Sequence, residues 1–308
     1  MRTFLMGKVG FLEKKAWEPN CWINVVSPTQ EDLRYLIDEM GVPEAFIDDI
    51  EDVDERSRLE VEEGWTLMIL RIPFKSIDTS IPFITVPLGI IVKGDVFVTV
   101  CYYGTEMIPD FINYVIRKNL EIANNWDLVF RLFLSASVWY LKYLKQINNE
   151  VARAEKALEK SIRNEDLLRL MKLEKSMVYF NTSIRGNEVM LSKLQSIFQE
   201  PMYMDAELLE DVETELKQAH LTVNIYSDIL TGTMDAFASI ISNNVNTIMK
   251  RMTSISIILM VPTLIASFYG MNVVNYIEDA PHGLIAIVLL SITLSALAFF
   301  IFRKIKWF

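Results

Sequence analysis

Near the end of this 308-residue chain, Asp235, Ser239, Ser242, Asn246, Met249, Thr253, Ser256, Met260, Thr263 and Ser267 succeed one another at steps of four and three, among residues that are mostly Ile, Leu, Phe, Val and Ala. Oxygen-bearing side chains in such a line, with one carboxylate at Asp235, can hydrogen-bond water or the shell of a hydrated cation. The mean step is about 3.5 residues, the period of helices wound left-handedly around one another, so the line points at a common axis. Two readings stay open on these residues alone. Small and polar groups are also the usual glue between membrane helices. A water-filled axis accounts in addition for the length of the line, for Asp235, and for Met249 and Met260 as constrictions among small groups. One helix cannot enclose a pore, so that reading requires several copies of the chain in a ring.

Other chemistry finds little footing. His220 and His282 lie far apart, and neither belongs to an HExxH or Cys/His ligand set. His220 is expected as ordinary surface. No glycine-rich phosphate cradle is present, so no organic cofactor is expected and the chain reads as something other than an enzyme. Cys21 and Cys101 have no CxxC partner, and Lys8, Glu13, Lys14 and Lys15 break any N-terminal secretory signal, which suggests a reducing compartment and buried, unpaired thiols. A net charge of -10, from 40 acids against 30 bases, argues against nucleic acid and favours cations or simple solubility. The acids from Glu51 to Glu55 read as a solvated loop.

The elements that must position the line are a pair of apolar helices. No charge occurs from Met252 to Ile277 or from Gly283 to Phe302, and about 20 apolar residues in a helix cross a bilayer. Lys250 and Arg251 precede the first span, and Arg303, Lys304 and Lys306 follow the second. The stretch between them has no Lys or Arg but carries Glu278 and Asp279, so both termini are expected in the cytoplasm. The expected order is an α+β (α/β) domain over 1–120, two long antiparallel helical arms over 121–204, and a stalk helix over 205–252. A pore-lining span over 253–269, an external loop over 270–282, a second span over 283–302 and a basic cytoplasmic tail over 303–308 follow.

In the first domain, Cys21 to Val26, Trp65 to Ile72, Ile84 to Val92 and Val96 to Tyr103 read as strands, with a hairpin turn at Lys93, Gly94 and Asp95. Ser27 is expected to cap a helix with Gln30 reaching back, and Gly41 to end it. Leu134, Val138, Leu141, Leu144, Ile147, Val151, Ala154 and Leu158 give the first arm an apolar face. Leu208, Val212, Leu216, Ala219, Val223, Tyr226 and Leu230 do the same for the stalk, which receives no stop signal and runs about 65 residues, on the order of 100 Å. Pro262 should kink it and free a carbonyl that neighbours or water must satisfy.

Tyr269, Gly270, Met271 and Asn272, just after the first of two C-terminal spans, resemble the signature of the CorA magnesium transport proteins, and the run from Met260 to Phe268 resembles the family's pore helix. The resemblance covers the whole layout. It implies a funnel-shaped homopentamer in the cell inner membrane, multi-pass, carrying hydrated Mg²⁺ and related Co²⁺ or Ni²⁺ inward and gated by intracellular Mg²⁺. By that resemblance Gly270, Met271 and Asn272 form the external selectivity ring and Thr263 the next polar ring. Met260, Met252, Met249 and Asn246 form constrictions, and Asp235 a ring near the cytoplasmic mouth. Asp211 falls where the family places an acid that binds regulatory magnesium between subunits. The loop from Val273 to Gly283 lacks the family's usual Met, Pro, Glu, Leu sequence; Glu278 and Asp279 offer similar charge. The rivals are a zinc, cobalt or nickel carrier of the same architecture, and a membrane-tethered coiled-coil protein without transport. Met271 favours the magnesium branch.

Overall fold

The computed structural model describes residues 1–7, 9–76, 80–161, 163–197, 205–271 and 282–307. Two compact units divide the chain, Met1–Gly232 and Thr233–Phe308.

The first unit is built on strands β1 (Arg2–Gly7), β2 (Phe11–Lys14), β3 (Cys21–Val26), β4 (Arg58–Glu62), β5 (Trp65–Lys75), β6 (Phe83–Lys93) and β7 (Val96–Cys101). They form one sheet in the order β2-β1-β3-β7-β6-β5-β4. The β3–β7 pair is parallel and its neighbours are antiparallel. Continuous apolar runs such as Leu67 to Leu70 are buried because helices cover both faces. On one face α1 (Gln30–Arg34), the helical stretch that continues it and α2 (Glu44–Glu51) seat Leu36, Phe46, Ile47 and Ile50 on Ile23, Val25, Leu67, Ile69, Ile91, Val98 and Val100. Gly89 on β6 makes this approach possible, since a Cβ there would lie 2.1 Å from Ile50 Cδ1. The other face meets α3 (Met107–Lys118), α4 (Asn125–Lys160) and α5 (Asn164–Ile197), with Phe11, Trp22 and Phe111 ring against ring.

Local details depart from the sequence-based expectation in two places. The cap of α1 is Thr29, whose hydroxyl accepts from the Asp32 amide at 3.3 Å while Asp32 Oδ2 accepts from the Thr29 amide at 3.1 Å. Ser27 is instead held at φ 48°, with its amide donating to the Cys101 carbonyl at 2.8 Å, so it fastens the end of β3 to β7 and does not cap. After α1 the backbone widens into a π-helix over Tyr35–Glu39, and Gly41 follows at φ 73°. In α4 the expected stripe holds from Leu144 through Leu158, but Val138 points outward, 47% exposed. The first half of α4 lies between sheet and α3, so its buried positions include Tyr140, which donates to the Arg71 carbonyl at 3.0 Å, and Trp139, whose indole donates to Asp110 at 3.0 Å.

Helix α6 (Ala206–Tyr269) is continuous over 64 residues. Within the first unit it buries Leu208, Val212, Leu216, Ala219, Val223 and Leu230, and Asn224 accepts from Asn181 of α5 at 2.8 Å. The second unit comprises the rest of α6 and α7 (Gly283–Lys304), both long and apolar enough to cross a membrane.

Candidate functional site

Within the second unit, α6 divides into faces. Ser254 is fully buried, and Ile258, Val261, Pro262, Ile265 and Tyr269 are half-buried, at steps of about one turn, which makes them the side that meets α7. On α7 the matching half-buried positions are Ile287, Ser291, Ser295 and Ala298. At about 100° per residue, Ser256, Met260, Thr263 and Ser267 lie within roughly 40° of the side directly opposite Ile258. Asp235, Ser239, Ser242, Asn246, Met249, Thr253, Ser256, Met260, Thr263 and Ser267 are all exposed. Their face is therefore part of the surface that α7 leaves uncovered, beside exposed Leu259, Leu264 and Phe268. Met249 and Met260 extend from it, 60% and 62% exposed. Met252 flanks the line without lying on it.

Three of the six hydroxyls on this face, those of Ser239, Ser256 and Thr263, share one arrangement. Ser239 donates to the Asp235 carbonyl at 3.0 Å, Ser256 to Met252 at 2.9 Å and Thr263 to Leu259 at 3.0 Å. A hydroxyl has one proton and two lone pairs, so each of these oxygens spends its proton on its own helix and presents only acceptor capacity outward. Water bound to a dication points its hydrogens away from the metal and needs acceptors. The carboxylate of Asp235 and the amide oxygen available at Asn246 add to the same surface.

The end of α6 behaves differently. Gly270 donates its amide to the Ala266 carbonyl at 3.0 Å, and a Cβ there would stand 3.3 Å from the same oxygen, so the turn closes tightly on a glycine. Met271 is half-exposed, its amide 3.4 Å from the Phe268 carbonyl. Tyr269 belongs to the α7 side and lines an apolar groove of about 760 Å³ with Pro262, Ala266, Ile287 and Ser291. Asn272, Glu278 and Asp279 lie outside the described residues.

In the first unit, Asp211 is exposed on α6, and among the described residues no three His, Cys, Asp or Glu side chains gather as a metal site. His220, expected as plain surface, is half-buried with Nδ1 2.7 Å from Glu188 of α5. Sequence reasoning also missed Ser295, whose hydroxyl reaches the Ile258 carbonyl of α6 at 3.4 Å. The signal was present: Ser291 and Ser295 stand one turn apart on an otherwise apolar helix.

Comparison with known proteins bears on the family and the fold. The family described as CorA-like Mg²⁺ transporter protein matches residues 17–304. The chain is 26% identical over 295 residues to the cobalt/magnesium transport protein CorA of Methanocaldococcus jannaschii, covering 93% of this chain and 90% of that protein. It is 25% identical over 269 residues to the cobalt/magnesium transport protein CorA of Thermotoga maritima, covering 82% and 72%. The complete structure of the CorA magnesium transporter from M. jannaschii superposes with a TM-score of 0.85 at 22% identity, covering 100% of this chain and 99% of the other. With two helices long and apolar enough to cross a membrane and a family match over nearly its whole length, this chain belongs to the CorA-like Mg²⁺ transporter protein family.

Proposed function

We propose that copies of this chain assemble as a ring whose axis is lined by the polar face of α6, and that hydrated Mg²⁺, with Co²⁺ as a second cargo, passes along it into the cytoplasm. The observation that carries the proposal is the exposed line from Asp235 to Ser267, whose end from Ser256 onward lies opposite α7 and in which Ser239, Ser256 and Thr263 have only lone pairs to offer. The relatives' names, cobalt/magnesium transport proteins, agree with that chemistry.

Mg²⁺ gives up its waters reluctantly, so neutral oxygens that grip the shell suit it better than a ring of carboxylates, which would hold the ion and slow its exit. Asn272 serves as that neutral group at the outer mouth, with Gly270 and Met271 shaping the turn, and Glu278 and Asp279 concentrating cations there. Lys250, Arg251, Arg303 and Lys304 place both termini of an inner-membrane protein in the cytoplasm. A membrane potential then supplies about 4.6 kcal/mol per 100 mV for a double charge, and no nucleotide is required. Met249, Met252 and Met260 exclude water when the ring is closed, and intracellular Mg²⁺ bridging acidic subunit faces that include Asp211 holds the closed state.

The test is uptake by the purified protein in liposomes, comparing Mg²⁺, Co²⁺, Ni²⁺ and Zn²⁺. Mg²⁺ and Co²⁺ are expected to enter and Asn272→Ala to abolish both fluxes. Zn²⁺ uptake without Mg²⁺ would assign the zinc reading, and absence of any uptake would leave a tethered helical protein.

A further inference from the structure

Pro262 has no amide hydrogen, so the carbonyl of Ile258, one turn back along α6, has lost the donor a helix would normally provide. An unpaired carbonyl among apolar side chains is costly, and water has poor access to this side of α6, which faces α7. Ser295 of α7 stands at that place. Its Oγ is 3.4 Å from the Ile258 carbonyl oxygen and 2.9 Å from the Ser291 carbonyl oxygen of its own helix. The hydroxyl has one proton, so the two carbonyls share it as a three-centre bond. Neighbouring hydroxyls on these helices, at Ser254, Ser291 and Thr293, donate to carbonyls of their own helix at 2.7–2.9 Å. The bond from Ser295 alone among these crosses between helices, and it reaches the one carbonyl that proline leaves unpaired.

We propose that Ser295 is a positioning residue for the ion path: it ties α7 to α6 at Pro262, where the missing amide lets a helix bend, and thereby fixes the direction in which Thr263, Met260 and Ser256 face. This rests on the reading of the polar face of α6 as the ion path. Thr263 is the residue after Pro262, and Met260 and Ser256 lie within two turns before it, so a change of bend at Pro262 swings Thr263 and the end of α6 relative to the lower part of the line. Without the donor on α7, the Ile258 carbonyl finds a partner only by rotating or by admitting water, and either alters that bend.

A double-mutant cycle on the full-length protein tests this. Uptake of Mg²⁺ into liposomes is normalised to correctly assembled particles, and the thermal midpoint is measured in parallel. Ser295→Ala is expected to lower uptake per particle about threefold or more, and Ser295→Thr, which keeps the hydroxyl, to retain the parent rate. Pro262→Ala restores an amide proton for the Ile258 carbonyl, and in that background Ser295→Ala is expected to change neither uptake nor midpoint. An equal loss in both backgrounds, or no loss in either, overturns the proposal. Coupling in the midpoint with no coupling in uptake also overturns it, because the bond would then only hold the hairpin together. If the parent protein carries no cation at all, the ion-path reading itself fails, and the midpoint cycle still reports the bond separately.

Discussion

At the scale of single residues, what distinguishes the polar face of α6 is which way its hydrogen-bonding capacity is turned. Thr263 donates its proton to Leu259 and keeps two lone pairs for whatever lies in front of it. Thr263→Val keeps the shape and removes the acceptor. We expect it to leave the thermal midpoint unchanged and to reduce Mg²⁺ uptake about tenfold, since a water of the ion's shell would then face a methyl group with no acceptor for its hydrogen. Unaltered uptake would show that Thr263 does not meet the ion. The thiols are of the opposite kind. Cys21 and Cys101 are fully buried, and burial pushes the Cys101 thiol up to about 11, outweighing a backbone hydrogen bond from Tyr103. At neutral pH it stays protonated and inert, so introduced cysteines report without competition from native ones.

At the scale of elements, the fold depends on close approaches that only particular residues permit. Gly89 is the sharpest case: Ile50 of α2 occupies the space its side chain would need. Gly89→Ala is expected to destabilise the first unit by about 1–3 kcal/mol, seen as a lower thermal midpoint with ion uptake per surviving particle unchanged. An unchanged midpoint would mean α2 can move aside. Hydrophobic periodicity made the long elements legible, because Leu208 to Leu230 on α6 and Leu144 to Leu158 on α4 bury one face each. It failed for the first half of α4, where sheet and α3 crowd the helix from several sides and period no longer separates inside from outside. It also passed over α3 and the strands β1, β2 and β4. Edge strand β4 carries Glu60, Glu62 and exposed Val61, a pattern too polar to stand out. The expected cap, Ser27, is instead tied to β7, a partner distant in sequence, and Thr29 caps the helix. In the candidate site, the line itself was legible from spacing, whereas the side that α7 covers was not, since only packing of the second helix distinguishes Ile258 from Met260. Ser295 was hidden for the same reason: its role depends on a carbonyl thirty-seven residues away.

At the scale of the whole molecule, the proposal requires that many weak interactions around an axis act together and that the cell can close the path. If Mg²⁺ bound to acidic faces holds the closed ring, chelating it should loosen the first unit. Protease digestion is then expected to accelerate when EDTA removes Mg²⁺, and Asp211→Ala to abolish the protection that added Mg²⁺ gives; equal protection in the variant would remove Asp211 from gating. The central claim concerns which face of α6 the ion meets, and thiol block of uptake tests it most directly. Ser256→Cys, Thr263→Cys and Ile265→Cys are each treated in liposomes with a small cationic, water-soluble methanethiosulfonate while Mg²⁺ uptake is followed. Block at positions 256 and 263 with none at 265, on the α7 side, is the expected result. Block at 265 with none at 256 and 263 would contradict it.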